Sequence, residues 1–120
     1  MARNDQTLVL GLGRFGRAIA GTLGQLGVDV LGVDASSQVV QACAPTMTHV
    51  VQADSTDVEA LRQLGAGDFG TAVVAIGSDI QASILTTYAL VDLEIPRIWA
   101  KAITAEHGAI LQRFGAHRVI

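Results

Sequence analysis

Half of the 120 residues are hydrophobic, few are aromatic and the net charge is −3, a composition that predicts one compact α/β domain. The seven arginines and the single lysine are scattered along the chain, so we expect no basic surface for nucleic acid. No apolar run approaches the length of a membrane span, and no signal peptide is evident. The single cysteine, Cys43, excludes an internal disulfide and is expected to pack in the core. Together these features predict a soluble, cytoplasmic domain.

The first ordered element is predicted to be a buried strand over Thr7–Leu10, after a loose polar segment over Met1–Gln6. Glycines in G-x-G-x-x-G spacing follow the strand, and a helix begins among them. Gly11 permits a sharp turn, Gly13 leaves room for a phosphate to approach the backbone, and Gly16 lets the helix lie close to the sheet. The first N–H groups of the helix and its dipole would then favour an anion. This combination of strand, turn and helix predicts a nucleotide site.

Two charged side chains near this turn bear on the ligand. Asp34 ends the next apolar run, where a carboxylate is placed to bind the ribose hydroxyls of a nucleotide and to repel the 2′-phosphate of NADP. Its alternative role is that of a helix N-cap or a solvated carboxylate. Arg14 stands inside the glycine loop, where its guanidinium is placed to contact a β- or γ-phosphate of this subunit's nucleotide or of a neighbour's. Its alternative is an ordinary surface arginine.

Apolar runs and turn residues predict regular alternation of strands and helices along the rest of the chain. The six predicted strands are Thr7–Leu10, Val28–Val33, Thr48–Gln52, Thr71–Ile76, Arg97–Ala100 and His117–Ile120. Five helices are expected between them. The first buries Phe15, Ile19, Leu23 and Leu26 and ends at Gly27, and the second runs from Ser36 or Ser37 to about Ala44. The third begins at a Thr56-x-x-Glu59 capping box and ends at Gly65 and Gly67, the fourth runs from Ile80 to about Val91, and the fifth runs from Thr104 to Gly115.

This alternation predicts a Rossmann-like, doubly wound parallel sheet of six strands in the order 3-2-1-4-5-6. Ligands bind such sheets beyond the carboxyl ends of the strands, near the switch between strands one and four. The loops expected at that edge are Gly11 to Gly16, Asp34 to Ser36, Asp54-Ser55, Ile76 to Asp79, and Lys101 to Ile103. Loop and cap chemistry is the alternative for Asp54, Ser55, Ser78 and Asp79, and simple solvation is the alternative for Lys101.

No catalytic set is evident in the sequence. Three isolated histidines and one cysteine do not have the spacing of a metal site. We recognise neither a nucleophile elbow nor a phosphate-binding G-x-x-x-x-G-K-[ST] loop. His49 and His117 fall in predicted strands and are expected to be structural, while His107, near the start of the last helix, is a weak ligand candidate. The sequence therefore predicts a binding domain and not an enzyme.

Several stretches together resemble the N-terminal lobe of the RCK (KTN) domain, the TrkA N-terminal type that regulates potassium channels and transporters. These stretches are Gly11–Gly16, Val33-Asp34, Ala53–Thr56, Val74–Gly77 and Gly115–Ile120. Three further stretches, Ile80–Ser83, Leu85–Thr87 and Ile95–Ala102, resemble the cytosolic regulatory subunits of Ktr-type bacterial potassium uptake systems. The resemblance covers essentially the whole chain.

The resemblance implies a regulatory domain that binds ATP, ADP or NAD(H) and gates a membrane potassium transporter. It implies homodimers that assemble into an octameric ring at the inner face of the membrane, and a C-terminal lobe that is absent from residues 1–120. It places Arg14 on phosphates, Asp34 on the ribose, and Lys101 to Ile103 with His107 on the far side of the site. The candidate binding residues are Gly11, Gly13, Arg14, Phe15, Gly16, Asp34, Ala35, Ser36, Asp54, Ser55, Ile76, Gly77, Ser78, Lys101, Ala102, Ile103 and His107.

Two other functions remain compatible with the sequence. One is the cofactor half of an NAD-dependent oxidoreductase, separated from its substrate domain. The other is a redox sensor that binds NADH in preference to NAD⁺. Asp34 suits all three functions, whereas Arg14 and the lack of catalytic residues favour nucleotide-gated regulation.

Overall fold

The computed structural model describes residues 5–120, so the first four residues of the predicted loose segment lie outside it. The described residues form one sheet of six parallel strands with helices on both faces. The strands are β1 (Thr7–Leu10), β2 (Val30–Asp34), β3 (His49–Gln52), β4 (Thr71–Val74), β5 (Arg97–Ala100) and β6 (Arg118–Val119). The helices are α1 (Arg14–Gln25), α2 (Ser37–Cys43), α3 (Val58–Gln63), α4 (Ile80–Asp92) and α5 (Ala105–Arg113).

The strand order is β3-β2-β1-β4-β5-β6, which confirms the predicted topology. The chain reverses its direction of winding between β1 and β4, which pair directly with Leu10 opposite Val74. Leu10 also stands opposite Val33 of β2. The carboxyl ends of these three strands are therefore level, and the loops that leave them share one edge of the sheet.

Two hydrophobic cores cover the two faces of the sheet, because alternate residues of each strand point to opposite sides. Leu8 and Leu10 of β1 belong to the core beneath α3, α4 and α5. Val9 between them belongs to the core beneath α1 and α2. Cys43 lies in this second core and is 2% exposed, as its apolar sequence context predicts.

Two local predictions about helix ends were wrong. The capping box at Thr56 does not form: Asp57 is the N-cap of α3 and accepts hydrogen bonds from the N–H groups of Glu59 and Ala60. Thr56 is instead bound to Asp54, whose carboxylate stands two residues earlier and captures its hydroxyl. Leu26 is the C-cap of α1 and is 73% exposed, so it does not belong to the buried face of the helix as predicted.

The structure shortens several strands by one or two residues, and it extends β2 through Asp34. Ser36 caps α2 and Thr104 caps α5, as predicted, each accepting a hydrogen bond from a backbone N–H three residues on. Gly65 follows α3 with φ +79°, but Gly67 lies in a separate short 3-10 turn. None of these differences alters the sheet or its order.

Candidate functional site

The glycine loop makes a tight turn between β1 and α1. Gly11 has φ +98°, and its N–H donates to the carbonyl oxygen of Val33 at 2.8 Å. A Cβ added at Gly16 would overlap the carbonyl oxygen of Gly11, because the two atoms would lie closer than 3.0 Å, a distance that Cβ atoms in real structures essentially never show. Gly11 and Gly16 therefore serve the turn itself and the close seating of the helix on it.

Gly13 differs from the other two glycines of the motif because nothing lies within 4 Å of the place where a Cβ would stand. It is the N-cap of α1 and has no side chain with which to cap the helix. The first turn of α1 contains no acidic residue. The N-terminus of α1 therefore has neither a side-chain cap nor an acidic residue, and such a helix end stabilises an anion through its N–H groups and its dipole.

A cleft of about 370 Å³ opens beside this turn at the carboxyl ends of the strands. Its walls come from the loops that follow β1, β2, β3 and β4 and from the starts of α2 and α4. The lining residues are Gly11, Gly13, Val33, Asp34, Ala35, Val39, Asp54, Ser55, Thr56, Ala75, Ile76, Gly77, Ser78, Asp79 and Ala82. The cleft lies at the switch between β1 and β4, where sheets of this topology bind ligands.

Asp34 is held in place by two backbone hydrogen bonds. Its Oδ2 accepts from the Leu12 N–H at 2.8 Å, and its Oδ1 accepts from the Ser36 N–H at 2.9 Å. The carboxylate thus joins the glycine loop to the start of α2, while each oxygen keeps a further lone pair for a ligand. A ribose with vicinal hydroxyls would meet a carboxylate whose orientation is already fixed.

Asp54, on the neighbouring loop, is also locked by local hydrogen bonds. Its Oδ1 accepts from the Thr56 hydroxyl at 2.6 Å and from the Thr56 N–H at 3.0 Å. These two bonds, the hydroxyl first, hold the pKa of the Asp54 carboxyl below its ordinary value because they stabilise the charged form. The cleft is therefore lined by three carboxylates, those of Asp34, Asp54 and Asp79.

The remaining walls of the cleft come from the loop after β4 and from α4. Asp79 is the N-cap of α4 and accepts from the Ala82 N–H at 3.0 Å, so its capping role is confirmed. Ser55 forms a 2.8 Å hydrogen bond with Thr86 of α4. These contacts fix the floor of the cleft against the helix.

Nine of the seventeen predicted site residues line this cleft: Gly11, Gly13, Asp34, Ala35, Asp54, Ser55, Ile76, Gly77 and Ser78. Arg14, Phe15, Gly16 and Ser36 adjoin it in sequence without lining it. Lys101 does not line the cleft either and lies beside α1, with Nζ 5.5 Å from the centre of the Phe15 ring. Ala102 donates its N–H to the carbonyl oxygen of Ile120, and Ile103 is 42% exposed.

His107 is 1% exposed and lies beneath this last loop. Its Nδ1 accepts from the Ile103 N–H at 2.9 Å, so the ring proton is on Nε2, which donates to the Ser83 hydroxyl at 3.1 Å. Burial lowers the pKa of His107 because the charged imidazolium would lose its hydration. His107 is placed to hold the Ile103 loop and not to contact a ligand itself.

Val39, Thr56 and Ala82 line the cleft although the sequence did not single them out for this role. Thr56 carried a misleading signal, since its spacing to Glu59 suggested a helix cap. Val39 and Ala82 carried no signal at all, because an apolar residue in the first turn of a helix looks the same whether it faces a core or a ligand.

Residues 5–120 contain no group of three or more His, Cys, Asp or Glu side chains placed to hold a metal ion. In the same range, no helix is both long enough and apolar enough to cross a membrane. A larger cleft of about 520 Å³ lies at the opposite edge of the sheet, between the end of α1 and the starts of β2 and β3. It faces the carbonyl end of α1, so the helix dipole there disfavours an anion.

Comparison with known proteins agrees with the geometry. The model of the TrkA-N domain matches residues 7–120. Ktr system potassium uptake protein A of Bacillus subtilis (strain 168) is 45% identical over 118 residues, which cover 98% of this chain and 53% of that protein. Ktr system potassium uptake protein C of the same organism is 41% identical over 112 residues, which cover 93% of this chain and 51% of that protein.

A solved structure, the crystal structure of GsuK bound to ADP, superposes with a TM-score of 0.81 at 28% identity and covers 100% of this chain and 31% of that one. The chain spans about half the length of the Ktr proteins that it matches. The resemblance noted from the sequence motifs is thus confirmed at the level of the family. Because the family model covers nearly all of the described residues, the chain belongs to the TrkA-N domain family.

Proposed function

We propose that this domain binds an adenine nucleotide in the cleft at the ends of β1 to β4 and that the bound nucleotide regulates potassium transport. The observation that carries the proposal is the pairing of Asp34, fixed by two backbone N–H groups, with the open, uncapped N-terminus of α1. The first suits a ribose and the second suits a phosphate. The relatives named as potassium uptake proteins, 45% and 41% identical, support the regulatory role.

In this proposal each wall of the cleft takes one part of the nucleotide. Gly13 and the first N–H groups of α1 bind the phosphates, and Asp34 with Ala35 and Ser36 binds the ribose. Asp54, Ser55 and the Ile76–Ser78 loop line the adenosine. Lys101, Ala102 and Ile103 approach from the far side of the glycine loop, with His107 holding that loop from below.

The ligand that we propose is ATP or ADP, with NAD⁺ or NADH as the alternative that the same carboxylate would accept. ATP and ADP differ only in the γ-phosphate, so a regulatory site needs a group that reads it. Arg14 is exposed at the first position of α1 and is the cation nearest to the phosphate end in sequence. Arg14→Ala is expected to reduce the ratio of ATP to ADP affinity while adenosine binding persists, and equal loss for both nucleotides would contradict this role.

The partners that we propose rest on the family resemblance and on the names of the Ktr relatives. We propose that the domain acts as part of a longer cytoplasmic subunit with a C-terminal lobe, since the chain spans about half of each Ktr relative. That subunit would form homodimers, assemble into an octameric ring, and bind a membrane potassium transporter from the inner face of the membrane. In this role the domain is a regulator and not an enzyme.

The test is calorimetric titration of the domain with ATP, ADP, NAD⁺ and NADH, followed by 2′-deoxy-ADP and 3′-deoxy-ADP. We prefer edited ligands to Asp34→Ala because that substitution also removes the acceptor of the Leu12 and Ser36 N–H groups and would disturb the loop. Tight ADP binding that weakens by about ten- to a hundredfold with either deoxy ligand supports the proposal, since one charge-assisted hydrogen bond contributes about 1.5–3 kcal/mol.

Two other outcomes would favour the alternative functions. Selective binding of NAD⁺ or NADH, with ATP and ADP ignored, would favour an oxidoreductase or redox-sensor domain. A preference for NADH over NAD⁺ would favour the sensor. Deoxy ligands that bind as tightly as ADP would contradict the role assigned to Asp34.

A further inference from the structure

The buried face of α4 is unusually polar. Ser83, Thr86 and Thr87 are each 0% exposed, in positions where a helix against a parallel sheet ordinarily carries aliphatic side chains. A hydroxyl taken out of water without a hydrogen-bond partner is costly. Each of these three hydroxyls does have a partner, and the partners differ in kind.

Thr87 is satisfied inside its own helix. Its hydroxyl donates to the carbonyl oxygen of Ser83 at 2.9 Å, one turn back. Thr86, beside it, reaches across to the Ser55 hydroxyl at 2.8 Å, a contact between residues 31 apart in sequence. Two neighbouring threonines with the same burial thus differ in one respect: only the bond of Thr86 leaves the helix.

Ser55 lies in the loop that follows β3 and lines the cleft. The other side-chain bonds of this loop run within it, from the Thr56 hydroxyl and N–H to Asp54. The Asp57 N–H also bonds within the loop, to the carbonyl oxygen of Asp54 at 3.1 Å. Among the described residues, the Ser55–Thr86 pair is therefore the side-chain hydrogen bond that ties this part of the cleft wall to α4.

We propose that Thr86 is a positioning residue of the nucleotide site, which acts through Ser55 to hold the Asp54–Thr56 loop in its binding conformation before a ligand arrives. This inference rests on the proposed function. Thr86 itself is fully buried and touches no ligand. A loop that is already held loses less freedom on binding, so the bond contributes to affinity by preorganisation.

The test compares Thr86→Val with Thr87→Val. Both variants replace a buried threonine of α4 by a side chain of the same shape, and both remove one hydroxyl, so they share any general cost to the helix. The first readout is hydrogen exchange of the Thr56 and Asp57 amides without ligand, because both amides are hydrogen-bonded within the loop. The second is the Kd for ADP measured by calorimetry.

We expect Thr86→Val to raise exchange of these two amides and to weaken ADP binding about fivefold, the effect of losing one neutral hydrogen bond. Thr87→Val is expected to leave both quantities within twofold of the wild type. Thr86→Ser keeps the hydroxyl and should restore both. In a Ser55→Ala background, adding Thr86→Val should change neither, because the partner is already gone.

Equal effects of Thr86→Val and Thr87→Val on both readouts would overturn the inference, as would an undiminished effect of Thr86→Val in the Ser55→Ala background. The exchange readout needs no ligand, which separates this inference from the proposed function. A wild type that binds no adenine nucleotide refutes the proposed function, and the positioning of the loop is then decided by amide exchange alone. If Thr86→Val folds poorly, the comparison is made between Thr86→Ser and Ser55→Ala. The first variant keeps the hydroxyl at position 86, and the second removes the hydroxyl that it bonds.

Discussion

Replacing Gly16 by alanine tests whether the glycine motif shapes the turn or the ligand site. A Cβ at this position would lie 2.9 Å from the Gly11 carbonyl carbon and closer still to its oxygen. Both atoms are backbone, and Gly11 is itself fixed by its hydrogen bond to Val33, so neither can yield as a flexible side chain would. The glycine loop or α1 must therefore shift as a unit.

The size of the effect follows from two opposing terms. Alanine in place of a helical glycine gains about 1 kcal/mol in helix propensity. Forcing a methyl into a filled space costs about 1–3 kcal/mol, and more when the obstacle is backbone. Because the obstacle is backbone, we expect the upper end of this range, a net loss of about 2 kcal/mol in the free energy of unfolding, which lowers Tm by roughly 8 °C for a domain of this size.

The assay is thermal and urea unfolding followed by circular dichroism, with Gly24→Ala as the matched control. Gly24 lies in the same helix, is exposed, and has nothing within 4 Å of an added Cβ. Gly24→Ala should stabilise the protein by about 0.5–1 kcal/mol through propensity alone. A Gly16→Ala protein as stable as Gly24→Ala would refute the argument that the turn excludes a side chain there.

Three further predictions concern the site. Gly13→Ala should keep Tm within about 2 °C of the wild type, because the added Cβ contacts nothing. The same substitution should weaken ADP binding at least tenfold, because the methyl group would occupy the space through which a phosphate approaches the backbone. Unchanged ADP affinity by calorimetry would contradict a phosphate site at Gly13. His107 has a lowered pKa in the folded state, so stability should be full above its ordinary value of about 6.5 and fall as pH drops below it. Urea unfolding at pH 7.5 and 5.5 should therefore show a larger loss for the wild type than for His107→Gln, and equal losses would exclude His107 as the cause. Thr56→Val should raise the pKa of Asp54, because it removes the hydroxyl hydrogen bond that stabilises the charged carboxylate. Titration of the Asp54 carboxyl by NMR, in the variant and in the wild type, measures this change. An unchanged pKa would mean that another group lowers the pKa of Asp54.

The elements that local rules govern were predicted well from the sequence. The turn at Gly11 and the carboxylate at the end of β2 depend on residues close together in the chain, and the structure has both. The capping box failed because Thr56 and Asp57 are both good N-cap residues, and a third residue, Asp54, decided between them by binding Thr56. Composition gives no means to rank such competing local bonds.

Contacts across long stretches of chain were not predictable. Nothing around Thr86 distinguishes it from Thr87, yet one binds Ser55 and the other its own helix. His107 was expected on the far side of the site, and its burial beneath Ile103 depends on how α5 packs against α4. The sequence could predict which loops meet, because the sheet order dictates that, but not which side chains within them touch.

The two backbone hydrogen bonds that fix Asp34 imply that the two ends of the cleft contribute differently to binding. If Asp34 binds the ribose as proposed, its fixed carboxylate would bind every adenosine-containing ligand equally well and would contribute affinity without selectivity. A ligand that binds two conformations equally well cannot shift the balance between them. On the proposed function, discrimination between nucleotides would then depend on the other end of the cleft, where α1 begins at Gly13 without a side-chain cap. In this arrangement the ribose end of the cleft would set the affinity for adenine nucleotides, and the phosphate end would distinguish one nucleotide from another.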